Sequence, residues 1–161
     1  MKNFFTTKNL VKTAMVAAVY GALTFFIAPI SYGAIQFRLT EILVLLAFVD
    51  FGYVPGLVLG CVIANLFSPL GIADVVFGSV ATLIAVIMVG KTKNLLLSTI
   101  WPSLVNGLII ALELYFISKL PFLLSFAEVA IGEFVVVTCI GYPVFKNLLK
   151  NESLIKFLKF D

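Results

Sequence analysis

Asn65-Leu66-Phe67-Ser68-Pro69-Leu70-Gly71-Ile72-Ala73-Asp74-Val75-Val76-Phe77-Gly78-Ser79-Val80-Ala81-Thr82 closes one apolar segment of the chain and opens the next. The corner holds an amide, a hydroxyl, a carboxylate, a proline and two glycines, in a chain that is otherwise mostly apolar helix. A carboxylate in such surroundings is expensive and marks a candidate functional residue. Asp74 falls in the first turn after Gly71, where a negative charge favours the positive helix end. A plain helix-end charge is therefore the alternative to a ligand-binding role. Asp74, Gly78 and Thr82 recur every four residues and share a face, with Phe77 beside it. Gly78 leaves room next to the carboxylate.

Outward from this corner, composition sets the class. The chain has 161 residues, is 62% hydrophobic and only 12% charged, with a mean hydropathy of +1.18. A soluble core cannot absorb that much apolar surface, so the chain reads as an all-α integral membrane protein lying in the lipid bilayer. With roughly 20 residues per span, the apolar segments support a bundle of six transmembrane helices. These cover about residues 9–28, 38–49, 54–67, 72–90, 98–118 and 122–145 of a single membrane domain, 1–161. The net charge of +3 does not point to nucleic acid, because the lysines gather at segment ends. Lys2, Lys8, Lys12, Lys91, Lys93, Lys146, Lys150, Lys156 and Lys159 all fall on one side of a six-span bundle; Arg38 and Lys119 are the exceptions. By the positive-inside bias both termini are cytoplasmic. The first apolar run resembles a signal peptide, but Phe25-Phe26-Ile27-Ala28-Pro29 is too bulky for cleavage, so an uncleaved span is expected. Cys61 and Cys139 read as buried reduced thiols, and without histidine no zinc site is expected.

The other polar residues take positions around this frame. Ala14, Ala18 and Ala22, flanked by Ala17 and Gly21, form a small-residue stripe for close helix approach, within this protein or to a partner subunit. Pro29 to Phe37 reads as a loop long enough to act as a lid, with Tyr32 and Phe37 as aromatic faces or as part of the interfacial belt. Arg38 and Glu41, three apart, can pair on one face of a short second helix. Gly56 and Gly60 allow another close crossing. Trp101 and Pro102 read as an interfacial anchor and a first-turn proline. Asn106 and Glu113 face the same way, Glu113 about 16 Å along the helix from Pro102 and close to Tyr115. Glu128 and Glu133 lie on different faces of the last span, so at most one lines a site.

In this topology Arg38, Glu41, Asn65, Asp74, Glu113 and Glu133 sort into the outer half or the middle of the bilayer, leaving the inner half nearly bare of carboxylates. That sorting suggests a polar cavity open to the outside, with scattered structural pairs as the alternative. Several acids, one arginine and two asparagines suit a small molecule rich in donors, and neighbouring rings suit a flat one. Charge-assisted hydrogen bonds from an amidine edge to a carboxylate are the strong kind. No enzyme motif competes: there is no Walker A loop, no Gly-x-Ser-x-Gly, no His-Glu-x-x-His and no histidine for a triad.

The runs Pro29-Ile-Ser-Tyr-Gly-Ala-Ile-Gln-Phe-Arg38-Leu-Thr-Glu41 and Asn65 to Gly78, with Asn106, Glu113-Leu114-Tyr115 and Gly132-Glu133, resemble the queuosine-precursor transporter (QueT) family over nearly the whole chain. The two long runs are specific; the later matches are short. The resemblance implies a substrate-binding S component of an energy-coupling factor transporter, with a six-helix fold and a solute site near the outer face. It implies a transmembrane coupling subunit and two cytoplasmic ATPases as partners, and no cofactor in this chain. The implied substrate is a deazaguanine precursor of queuosine, or queuine. Ala14, Ala18 and Ala22 then look like the family's docking face. Asp74, Glu113 and Glu133 are the candidates for the donor edge and any amine of the ligand. Arg38, Glu41, Asn65 and Asn106 complete the polar lining; Arg38 and Asn65 are placed to meet acceptor atoms or orient the acids. Phe37, Phe77 and Tyr115 are placed to stack on the ring. An S component for another vitamin, a solitary secondary carrier, and a non-transport scaffold are the alternatives, with a membrane enzyme behind them.

Overall fold

The computed structural model describes residues 6–31 and 37–160. Every regular element among them is helical. We number the helices α1 (Thr7–Phe26), α2 (Leu39–Val49), α3 (Phe51–Asn65), α4 (Ile72–Lys91), α5 (Leu95–Ile117), α6 (Phe122–Leu148) and α7 (Glu152–Leu158). Four of them, α1, α4, α5 and α6, are long and apolar enough to cross a membrane; α2 and α3 are shorter apolar helices. The sides turned away from the bundle are apolar, with Met15, Phe26, Ile72 and Leu123 each more than 60% exposed. A helix apolar on both its packed and its open side belongs in lipid.

Side-chain caps set several helix starts, each by offering an oxygen to an otherwise unpaired first-turn amide. Thr6 accepts from Asn9 N (3.3 Å) at α1, and Asn151 accepts from Leu154 N (3.1 Å) at α7. Asn94 accepts from Leu96 N (2.9 Å) and Leu97 N (3.2 Å). That cap corrects the reading of Pro102: α5 begins at Leu95, so Pro102 lies inside the helix rather than in its first turn. Trp101 still ties this end down, its indole donating to Thr92 Oγ1 at 2.9 Å.

Three further departures follow the backbone. The loop expected from Pro29 begins later, because Ala28–Ser31 makes one more helical turn, closed by Ser31 N to Ile27 O at 3.0 Å. Proline is tolerated there, at the start of a turn. Residues 32–36, with Tyr32 and most of the expected lid, lie outside the described residues. Second, α2 is wound as 3₁₀ helix over Leu39–Leu45 before its last α turn, Leu46–Val49. At about 2 Å per residue against 1.5 Å for an α-helix, that winding lengthens the segment. Third, α6 passes from α-helix into π-helix at Phe134–Gly141, directly after Glu133. Such widened turns are rare and occur often at functional positions.

α1 and α3 cross closely. A side chain at Gly56 would strike the Thr13 carbonyl at 2.7 Å, and one at Gly60 would strike Tyr20 Cβ at 2.7 Å. Gly21 abuts Ile63 in the same way. The small-residue packing inside the protein therefore uses Ala17 and Gly21, while Ala14, Ala18 and Ala22, on the adjoining face, remain exposed. Tyr20, Leu45, Leu57, Val86, Val89, Val136 and Val137 form the centre of the core.

Lys12, Lys93, Lys146, Lys150 and Lys159 gather at one end of the bundle. There the tail folds back: Lys12 Nζ donates to the carbonyls of Phe157 and Lys159, both at 2.7 Å. Tyr53 OH donates to Leu158 O at 2.6 Å, and Phe160 N to Asp50 Oδ2 at 3.2 Å. Phe160 is 5% exposed beneath Gly52, on the wall of a cavity of about 510 Å³.

Candidate ligand-binding site

The corner that opens α4 is folded around Asn65. Its Nδ2 donates to Asp74 O at 2.9 Å and to Cys61 Sγ at 3.3 Å. Gly78 permits this approach: a Cβ there would collide with the same nitrogen. The room beside Asp74 is thus taken by the Asn65 amide, which pins the end of α3 to the start of α4. Ser68, in the turn between them, hydrogen-bonds the Asp74 carboxylate. Thr82, one turn beyond Gly78, donates to Cys61 Sγ at 3.1 Å.

Cys61 joins this corner to a second group, since Arg38 Nη1 reaches its sulfur at 4.0 Å. Arg38 also pairs with Glu41 at 3.9 Å, as their spacing predicts. Tyr20 OH hydrogen-bonds Glu41 from α1. Behind it, Thr24 and Thr40 share a 2.7 Å hydrogen bond. The third group comes from α5 and α6: Asn106 Nδ2 donates to Glu133 Oε1 at 2.8 Å. Glu113, two helical turns beyond Asn106, is fully buried and has Asp74 as its first electrostatic partner. Arg38 is within electrostatic reach of Glu41, Glu113 and Glu133. The three groups therefore make one cluster, supplied by every helix from α1 to α6.

The cluster has acceptors to spare. Glu41 Oε2, Asn65 Oδ1, Asn106 Oδ1, both oxygens of Glu113 and Glu133 Oε2 are buried without a hydrogen-bond partner. Each such group costs about 1–3 kcal/mol, and native proteins carry few of them. An arrangement with this many in one place can accept hydrogen bonds from donors outside the chain. Among the described residues no group of three or more His, Cys, Asp or Glu is placed to hold a metal ion.

Arg38, Glu41, Asn65, Asp74, Asn106, Glu113 and Glu133 are all buried in this cluster. Of the two acids on α6, Glu133 is 5% exposed and joins it, while Glu128 is only partly covered. Phe37 packs half-buried against the core, and Phe77 is half-buried on α4. Tyr115 stands apart: it is 49% exposed and lies edge-on to Phe116. Tyr20, Cys61, Ser68 and Thr82 also belong to the cluster; the sequence places Thr82 on the Asp74 face but gives little sign of Tyr20 or Cys61. Ser68 carried the best signal, as a hydroxyl in the turn that presents Asp74.

A family model described as QueT transporter matches residues 10–150. A curated relative, the queuosine precursor transporter QueT of Lactococcus lactis subsp. cremoris (strain MG1363), is 34% identical over 147 residues, covering 80% of this chain and 85% of its own. No solved structure matches the chain.

Proposed function

The chain belongs to the QueT transporter family, and on that footing we propose that it captures a queuosine precursor as the S component of an energy-coupling factor importer. It is a multi-pass cell-membrane protein of a transporter family, not an enzyme. The substrate follows the relative named for it: a deazaguanine precursor or queuine. The observation that carries the reading is the set of buried acceptors left open on Glu41, Asn65, Asn106, Glu113 and Glu133. A deazaguanine offers several N–H donors on a flat ring and matches that demand.

In this reading all six helices α1 to α6 span the membrane, with the lysine-rich end and both termini in the cytoplasm. The solute enters at the opposite, outer end. Glu133, Glu113 and Asp74 accept from its donor edge, and Arg38 meets its carbonyl. Asn65 orients the Asp74 corner, because its own nitrogen is already engaged. Phe37 and Phe77 border the ring; Tyr115 is too far out of the cluster to be assigned to it. The loaded protein docks on the coupling subunit through Ala14, Ala18 and Ala22, a stripe its own helices leave open. Two ATPase subunits supply the energy for release inward.

Uptake into vesicles tests this. With the coupling subunit and ATPases present, labelled deazaguanine should accumulate only with ATP. Accumulation by this chain alone would make it a secondary carrier. Accumulation of another vitamin in preference would keep the architecture and replace the substrate. No uptake of any solute would favour a scaffold.

A further inference from the structure

Resting on the transport reading above, we infer that Glu113 and Asp74 form a subsite for a positively charged amine, so that the protein selects the amine-bearing form of its substrate. Within the cluster Glu41 has Arg38 and Tyr20, and Glu133 has Asn106. Asp74 has the neutral Ser68 hydroxyl, with the Glu113 carboxyl beside it. Glu113 is 0% exposed, and neither of its oxygens has a hydrogen-bond partner.

Among the described residues of the cluster, four acids share one cation, Arg38, which is committed to Glu41 at 3.9 Å and to Cys61 at 4.0 Å. A buried carboxylate without a compensating charge is strongly unfavourable. A neutral ring edge supplies hydrogen bonds but no charge, so it leaves that cost in place. An alkylammonium supplies both, and it donates three hydrogen bonds.

A separate observation completes the subsite. Asn65 is 0% exposed and its Oδ1 is also unpartnered, while its Nδ2 is fixed on the backbone carbonyl of Asp74 itself. Carboxylates from α4 and α5 and an amide oxygen from the end of α3 thus offer three acceptors to three ammonium hydrogens. The Asn106–Glu133 pair, on α5 and α6, remains for the flat part of the ligand.

The test compares aminomethyl-deazaguanine with cyano-deazaguanine, which share the ring but not the charge. Their binding to purified protein is measured by calorimetry for the wild type, Glu113→Gln and Asp74→Asn, with a melting curve for each. The wild type should bind the amine at least 30-fold more tightly than the nitrile. Glu113→Gln should lose at least tenfold more affinity for the amine than for the nitrile, and Asp74→Asn should lose in the same sense. Equal wild-type affinities, or equal losses for both ligands, would overturn the amine subsite and leave the transport reading standing. No binding of either ligand by well-folded wild type would overturn both. If one variant fails to melt cooperatively, the other and the wild-type ratio still decide.

Discussion

Asn65 shows how one residue can organise a site without offering its nitrogen to a ligand. Both hydrogen bonds of that nitrogen lie within the corner, and Gly78 exists in the form that lets them be made. Gly78→Ala should therefore displace the amide. We expect a stability loss of about 1–3 kcal/mol, the usual cost of overpacking. Loosening the Asp74 corner should also weaken ligand binding by roughly tenfold, about 1.4 kcal/mol. Melting and titration of the purified variant check both; an unchanged melting temperature would mean the contact is slack. Asp74, Glu113 and Glu133 were legible as candidates because acids are rare in such a chain, and all three are buried. Tyr20 and Cys61 were not, because an aromatic ring or a thiol in an apolar helix carries no charge to betray it. The role of Asn65 was legible only in part: its type marks a polar corner, but which of its atoms stays open depends on the partner across the turn.

At the scale of elements, α1 has two small-residue faces with different duties. Ala17 and Gly21 meet α3, whereas Ala14, Ala18 and Ala22 face outward. Gly60→Leu should thus prevent stable folding, since its Cβ alone already meets Tyr20 and the Ala17 carbonyl. Ala18→Leu should leave the melting temperature and ligand binding unchanged and abolish co-purification with the coupling subunit. A Leu at position 18 that lowers the melting temperature instead would place that face inside the fold. The spacing alone showed both stripes but could not rank them, because the two lie only one residue apart on the same helix. The 3₁₀ winding of α2 and the early start of α5 were hidden for a related reason. Winding and caps follow from local hydrogen bonds, whereas hydropathy reports only where apolar residues lie. The tail is a second element-scale case. A seven-residue helix such as α7 has little stability alone, and Lys12 holds the carbonyls at its end. Lys12→Ala should make residues 152–160 exchange amide hydrogens at least tenfold faster, with the bundle unaffected; equal exchange would mean Tyr53 and Asp50 suffice.

For the whole molecule, composition and lysine placement made the membrane class and the helical fold readable before any coordinates. The number of spans was harder, because α2 and α3 are short by length alone and reach across only if both are counted as crossings. The account places Ser118 outside and Lys150 inside. Single cysteines introduced at 118 and 150, in a background with Cys61 and Cys139 replaced by alanine, should separate cleanly. An impermeant maleimide should label position 118 in intact cells and position 150 only after lysis. Labelling of both from one side would require a different number of spans.

The central claim is that the buried acceptors of this cluster hold a deazaguanine. The most direct measurement is saturable binding of labelled deazaguanine to the purified protein, wild type beside Glu133→Gln and Asn106→Leu. The account predicts one site per chain in the wild type and at least a tenfold loss in each variant, with both still melting cooperatively. Wild-type binding that both variants retain in full, or no binding to a folded wild type, would contradict it.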